Sequence, residues 1–200
     1  VPGLRPPIPS VGEAAEAMKD IGTTVVVKVV SPDIIHKSDA GGVVLHITCQ
    51  DALNQALTQI DAKVAAYHPG ATISGYLIEE EIAGGTEFLI GGKTDPAFGK
   101  VITVGMGGIL VELLNDFAMR VLPVKETEFR LMIQELKGYR LIAGYRGHAP
   151  LDEEALIRAI SSAVRMFLEE PAVTEFDINP LILWEKGACA VDARIFVSQG

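Results

Sequence analysis

The sequence predicts an α+β fold built as two lobes. Strand-like and helix-like segments come in clusters rather than in strict alternation, which argues against a doubly wound parallel sheet. The clusters place the lobes at residues 1–80 and 81–200. A chain of 200 residues is long enough to bury roughly 70% of the surface it exposes when unfolded, so it needs no disulfide or metal staple.

Ser10 and Glu13 have capping-box spacing ahead of an Ala-rich segment that ends near Gly22, which predicts a short first helix. The β-branched run from Thr24 to Val30 reads as a buried strand, and Lys28 in its middle then requires an anionic partner. Residues 31–42 form a polar, turn-rich loop, and Val43 to Thr48 resumes as a strand. From Asp51 to Tyr67 the residues Leu53, Ala56, Leu57, Ile60 and Val64 keep helical spacing until Pro69-Gly70 stops them. Strands are predicted at 72–78, 87–93, 100–104 and 119–122, punctuated by Gly84-Gly85, Asp95-Pro96 and Gly107-Gly108. Helices follow at 126–136 and 152–169; in the second, Leu156, Ala159, Ile160, Ala163, Val164, Phe167 and Leu168 form one wide stripe. Residues 174–184 and 188–197 then read as a hairpin about Lys186-Gly187.

Composition narrows the function classes. Hydrophobic residues are 48% and charged residues 22%, an ordinary globular balance that excludes disorder and fibrous classes. The net charge of -9 repels nucleic-acid phosphates and anionic lipid heads, so neither nucleic acid nor membrane is an expected partner. Cys49 and Cys189 lie far apart, outside any C-x-x-C pair, which fits a reducing, cytoplasmic setting. The longest apolar runs, such as Thr24 to Val30, are far too short to span a bilayer, and no signal peptide precedes them. The start at Val1, without methionine, is treated as a possible truncation.

Two nucleotide motifs fail on spacing. After Gly105-Met106-Gly107-Gly108, the third glycine of a dinucleotide fingerprint would fall at Leu110. Gly92-Lys93-Thr94 resembles the end of a P-loop, but the opening glycine would have to stand at Glu87.

The segment from Lys28 to Val43 is the richest. Gly41 and Gly42 let backbone N–H groups turn toward phosphate oxygens, Lys28 and Lys37 supply charge, and His36 beside them is a candidate nucleophile or base. A solvated turn with a surface histidine is the competing reading; the Lys, Ser, Asp and Gly-Gly around His36 favour function. His46, His68 and His148 have no such company and read as ordinary histidines. In the terminal hairpin, Asp177 and Asn179 share one face of a strand, and a two-residue loop brings Asp192 to that face. Three oxygen-bearing side chains without His or Cys suit Mg²⁺, against the plainer reading of a polar edge hairpin that tolerates Pro180. Glu79, Glu80 and Glu81 stand at a strand-end hinge, with Glu87 opening the next strand; they are either solvated charge or acceptors for ribose hydroxyls or an exocyclic amine. Arg120, Arg140 and Arg146 read as surface ion-pair residues.

Several blocks, in order, carry a family resemblance: Lys28 to Val43; Gly85-Thr86-Glu87-Phe88-Leu89-Ile90-Gly91 with Asp95-Pro96-Ala97-Phe98-Gly99; Gly105-Met106-Gly107-Gly108-Ile109 with Glu112; and Glu175-Phe176-Asp177-Ile178-Asn179-Pro180. Together they cover nearly the whole chain. The sequence resembles the ATP-grasp β subunit or domain of the NDP-forming acyl-CoA synthetases, the acetate–CoA ligase (ADP-forming) group. The resemblance implies an ATP-grasp fold, two α+β lobes clasping a nucleotide. The implied reaction converts acyl-CoA, ADP and phosphate to free acid, CoA and ATP, using ATP/ADP and Mg²⁺. It also implies a CoA-binding α subunit or fused ligase domains as partner, in a hetero-oligomer that receives its small-molecule acid through that partner. In that scheme His36 carries the phosphoryl group and Asp177 orients it. Lys28 and Lys37 steady phosphates, Glu79 and Glu87 face the nucleoside, and Asn179 and Asp192 hold the metal. Val1-Pro2 resembles the tail of the family's G-I-x-V-P segment, so the helix that normally precedes it is missing from this sequence.

Two rival readings differ in class or substrate. A non-catalytic nucleotide-binding module, like the ATP-grasp-like regions of lysine acetyltransferases, would not need the histidine and the metal ligands that stand together here. A succinyl-CoA synthetase β subunit shares the hairpin but resembles this chain less around His36.

Overall fold

The computed structural model describes residues 11–22, 24–108 and 115–198. Ser10 of the expected capping box, Val1-Pro2, Ile109 and Glu112 lie outside the described residues, as does the side chain of Glu13. The chain divides into two compact units between Ala83 and Gly84.

The first unit opens with helix Val11–Ile21 (α1) and strand Val25–Val30 (β1). Strand Val43–Ile47 (β2), helix Gln50–Tyr67 (α2) and strand Gly75–Glu80 (β3) complete it. The strands form an antiparallel sheet in the order β2-β1-β3. Alternation along β1 sorts its residues: Val25, Val27 and Val29 join the core with Ala14, Leu53 and Ile60 from the two helices, while Val26 and Lys28 point to the other face. All five residues that give α2 its apolar spacing are buried. The strand expected at 72–78 begins at Gly75 instead, so Glu79 and Glu80 pair within it, opposite Val26 and Val25, and only Glu81 stands beyond its end.

The second unit carries strands Thr86–Asp95 (β4), Gly99–Met106 (β5) and Phe117–Val121 (β6). Helices Glu126–Glu135 (α3), Tyr139–Ala143 (α4) and Glu153–Glu169 (α5) follow. Strands Val173–Leu183 (β7), Ala188–Ala190 (β8) and Ala193–Val197 (β9) close the chain. The antiparallel sheet runs β6-β5-β4-β7-β8, with β9 also on β7. Phe88, Ile90, Ile102 and Val104 face the helices, whose main contribution is the apolar side of α5. There Phe167 meets Phe176 edge to face with ring centroids 5.3 Å apart. Leu168, expected in the α5 stripe, is exposed instead.

The terminal hairpin differs from expectation in two ways. The expected single return strand is two, β8 and β9, and the tight turn centres on Glu185-Lys186, with Gly187 following at φ 84°. Strand β7 is also no edge strand, since it pairs with β4 on one side and β8 and β9 on the other. Pro180 is accommodated by the register shift between β4 and β7, where the missing N–H leaves no ladder position empty.

Asp152 joins the hairpin to α5. Its carboxylate accepts from Ala155 N–H as an N-cap, at 2.9 Å, and from Gly187 N–H in the turn, also at 2.9 Å. These two bonds, Gly187 first, hold the carboxyl below the usual aspartate range. A depressed folded-state value stabilises the fold above the unfolded aspartate value of about 3.9, and the contribution is lost as pH falls through the folded value. Asp152→Ala is therefore expected to lower the melting temperature by a few degrees at pH 7, with the gap to wild type narrowing below pH ~4. Thermal melts across that range check it.

Candidate active site

In the first unit the loop after β1 is anchored at both ends. Ile34 and Ala40 are buried in the core, and burying the isoleucine alone contributes roughly 1.5–3 kcal/mol. The Asp33 carboxylate accepts from Thr72 N–H at 2.8 Å. The loop closes as a Schellman motif: Gly42 N–H donates to Lys37 C=O at 2.7 Å, and Gly41 N–H donates to Ser38 C=O at 3.0 Å. Gly41 takes φ 66°, as the motif requires. A Cβ on Gly42 would lie 2.4 Å from Cγ1 of Val29. The glycines therefore shape the loop, and in this conformation their N–H groups are already donated inside it, which departs from the expectation that they face phosphate. Between the anchors His36 is exposed and Lys37 half-buried.

Lys28, 8% exposed, finds the anion its position demands. Its Nζ lies 2.6 Å from Oε2 of Glu79, on the sheet face opposite the helices. His46, expected to be ordinary, is held by Glu81. Nδ1 lies 2.6 Å from one carboxylate oxygen and the backbone N–H donates to the other at 2.6 Å, at a β-bulge where His46 takes φ 61°.

In the second unit the helix-free face of the sheet gathers the hairpin residues. Asp177 lies opposite Gly91 on β4 and opposite Arg194 on β9, and Asn179 N–H donates to Asp192 C=O at 3.1 Å. Asp177, Asn179, Asp192 and Arg194 therefore share that face, as the expected hairpin pairing requires. Gly91 puts no side chain beside Asp177. Burial holds the Asp177 carboxyl above the usual aspartate range; Arg194 pulls it down, and the Asp192 and Glu175 charges push it up. Glu175 itself lies 3.7 Å from Lys93. Arg194 was missed in the sequence because its importance comes from strand register, which pairs it with Asp177 at a separation no motif spacing reports.

Glu87 is exposed at the start of β4 and is seated by the glycine pair that failed as a dinucleotide motif. Gly107 N–H donates to Glu87 C=O at 2.6 Å, and a Cβ on Gly108 would come within 2.7 Å of the Glu87 carboxylate. Arg120 forms ion pairs with Glu128 and Glu135, as expected of a surface arginine, and Arg146 lies over the ring of Tyr145.

The metal reading can be tested on the donors themselves. Among the described residues no group of three His, Cys, Asp or Glu side chains is placed to hold a metal ion. What the hairpin offers is the amide oxygen of Asn179 on β7 and the carboxylate of Asp192 in the link between β8 and β9 opposite it, with a second carboxylate, Asp177, two residues from Asn179. That is an oxygen-only set of the small size Mg²⁺ accepts when water and phosphate complete its shell, so the residues fit.

A family model described as an ATP-grasp domain matches residues 7–197. The chain belongs to the ATP-grasp family. Within that family it is 40% identical over 185 residues to the β subunit of an ADP-forming acetate–CoA ligase I of Pyrococcus furiosus, covering 92% of this chain and 80% of that one. It is also 40% identical over 190 residues to the ADP-forming acetate–CoA ligase I of Archaeoglobus fulgidus, covering 95% of this chain but only 28% of that one. The ATP-grasp chain thus spans under a third of the longer relative. Among solved structures, the dinucleotide-forming acetyl-coenzyme A synthetase 1 of Ca. Korarchaeum cryptofilum, in complex with coenzyme A and Ca-AMPCP, superposes with TM-score 0.91 at 39% identity, over 96% of this chain and 84% of that one. A second structure of that enzyme contains Mg-AMPPCP, with its phosphohistidine segment pointing towards the nucleotide-binding site; it superposes with TM-score 0.79 at 35% identity, covering 98% of this chain and 86% of that one. No helix among the described residues is long and apolar enough to cross a membrane.

Proposed function

We propose that this ATP-grasp chain is the phosphoryl-transfer component of an ADP-forming acyl-CoA synthetase, acting with a CoA-binding α subunit or fused ligase domains. The observation that carries the reading is the shared sheet face of Asp177, Asn179 and Asp192, an oxygen-donor surface beside an unobstructed Gly91. The loop of the first unit, with its exposed imidazole, supplies the candidate acceptor.

In the ATP-consuming direction a neutral His36 ring nitrogen donates its lone pair to the terminal phosphorus of ATP. An N–P bond forms as the P–O bond to ADP breaks, and ADP leaves with that electron pair. The reverse step regenerates ATP from phosphohistidine and ADP. Asp177 is assigned as the acidic residue that orients or stabilises the phosphorylated histidine. Lys28 and Lys37 neutralise phosphate charge, and Glu79 and Glu87 accept from the nucleoside. Asn179 and Asp192 would hold Mg²⁺, whose chemistry when bound is to offset charge on the phosphate oxygens.

Incubating the chain with γ-labelled ATP and Mg²⁺ tests the reading. The expected product is an acid-labile, base-stable phosphoryl group that peptide mapping locates at His36. Label on another residue, or none, overturns it. Gly108→Ala is expected to weaken nucleotide binding about tenfold, because its Cβ must displace the Glu87 carboxylate at a φ of 63°. Titration calorimetry with ADP checks this.

The lysine acetyltransferase alternative gains no support, since the relatives are ligases. A cytoplasmic location and a hetero-oligomer follow from the same proposal.

A further inference from the structure

Resting on the metal reading above, the geometry assigns Arg194 a role as the built-in counter-charge of the hairpin face: without the cation its guanidinium sits against Asp192, and the arriving divalent ion must displace it. Three observations support this. Asp192, in the link before β9, lies two residues from Arg194, and Arg194 on β9 is the cross-strand partner of Asp177, so one cation stands near two carboxylates. On the neighbouring strand positions, Glu175 and Lys93 lie 3.7 Å apart and offset each other. Finally, Arg194 Nη2 is 3.9 Å from Asp192 Oδ2, close enough to attract but too far for a hydrogen bond. Such a contact lowers the repulsion between Asp177 and Asp192 without locking either carboxylate.

A guanidinium stays charged at all working pH values, so it competes with a metal ion without any proton being gained or lost. It acts on the metal through Asp192 and is thus a positioning residue rather than a catalytic one. Removing its charge beside Asp192 is expected to tighten binding of a divalent cation about three- to thirty-fold, while the metal-free protein loses stability because the carboxylates are left facing each other.

The test is Mn²⁺ binding to the full chain, followed by the paramagnetic signal of the free ion. The expected result is tighter binding by Arg194→Gln, a lower melting temperature for that variant in EDTA, near wild-type values for Arg194→Lys, and loss of binding in Asp192→Asn. Unchanged or weaker binding by Arg194→Gln, with Asp192→Asn still abolishing it, overturns the role of Arg194 and leaves the metal reading standing. Mn²⁺ binding that ignores both Asn179→Ala and Asp192→Asn overturns the metal reading and this inference with it. A measurement on the unmutated chain covers the case in which Arg194→Gln does not fold. Arginine side-chain resonances are followed during a Mg²⁺ titration, with Arg194 assigned by Arg194→Lys; its signal is expected to move in step with occupancy. A signal that stays still at saturating Mg²⁺ rejects the displacement.

Discussion

Replacing His36 with alanine is expected to lower transfer of the terminal phosphoryl group from ATP to the chain by at least about 10³-fold, because on the proposed function this side chain supplies the attacking lone pair. Stability should hardly change. The imidazole is exposed, while the anchors of its loop are Ile34, Ala40, Asp33 and the Schellman hydrogen bonds, none of which the substitution touches. Surface substitutions of this kind stay within about ±0.5 kcal/mol. His46→Ala separates the two effects in the opposite direction. Its ring is held by Glu81, so its removal disturbs the bulge of β2 and leaves labelling intact. Rapid-quench labelling of both variants, paired with thermal melts, measures the contrast. Equal labelling of His36→Ala and wild type would place the acceptor elsewhere.

How much of this was legible in the sequence depends on which interactions are local. The spacing of Leu53, Ala56, Leu57, Ile60 and Val64 gave α2 its buried face because helical periodicity is a property of neighbours along the chain. Lys28 announced a buried partner for the same reason, since an ammonium inside a β-branched run has to be compensated wherever it lies. The glycines of the His36 loop were noticed but given the wrong emphasis. Composition shows that Gly41 and Gly42 permit unusual backbone; only the closed loop shows that their N–H groups are spent on Ser38 and Lys37. Helix α4 was invisible because five residues carry too little periodicity to register. Asp116 illustrates the same limit. Its buried carboxylate accepts from the N–H groups of Lys137 and Gly138, a long-range anchor between β6 and α4 with no spacing signature. At the candidate site, alternation along β7 placed Asp177 and Asn179 together, whereas Arg194 emerged only from strand register.

Asp177→Asn should reduce phosphoryl transfer about 10²- to 10³-fold and yet make the metal-free protein more stable at pH 7. The expected loss of activity follows from the role proposed for Asp177, because a neutral amide is a weaker acceptor than a carboxylate and carries no charge to offset the positive ring that forms as phosphorus is attacked. The stability gain follows from the raised carboxyl value, whose main cause is burial, with the Asp192 and Glu175 charges adding to it and Arg194 opposing it. A value raised in the folded state means that the neutral form fits the fold better than the anion. Its favourable contribution is complete below the unfolded aspartate value of about 3.9 and is lost as pH rises through the folded value. Wild type therefore carries the cost of a partly desolvated anion at neutral pH, and the asparagine variant does not. Melting in EDTA between pH 3 and pH 8 should show the two curves separating as pH rises, with the variant higher. A variant that is inactive but less stable at pH 7 would mean that Asp177 is a structural acid, held by Arg194 for the sake of the hairpin rather than of the histidine. A variant that is both more stable and inactive identifies a carboxylate kept ionised for catalysis against its own environment, which is the condition a phosphohistidine partner has to meet.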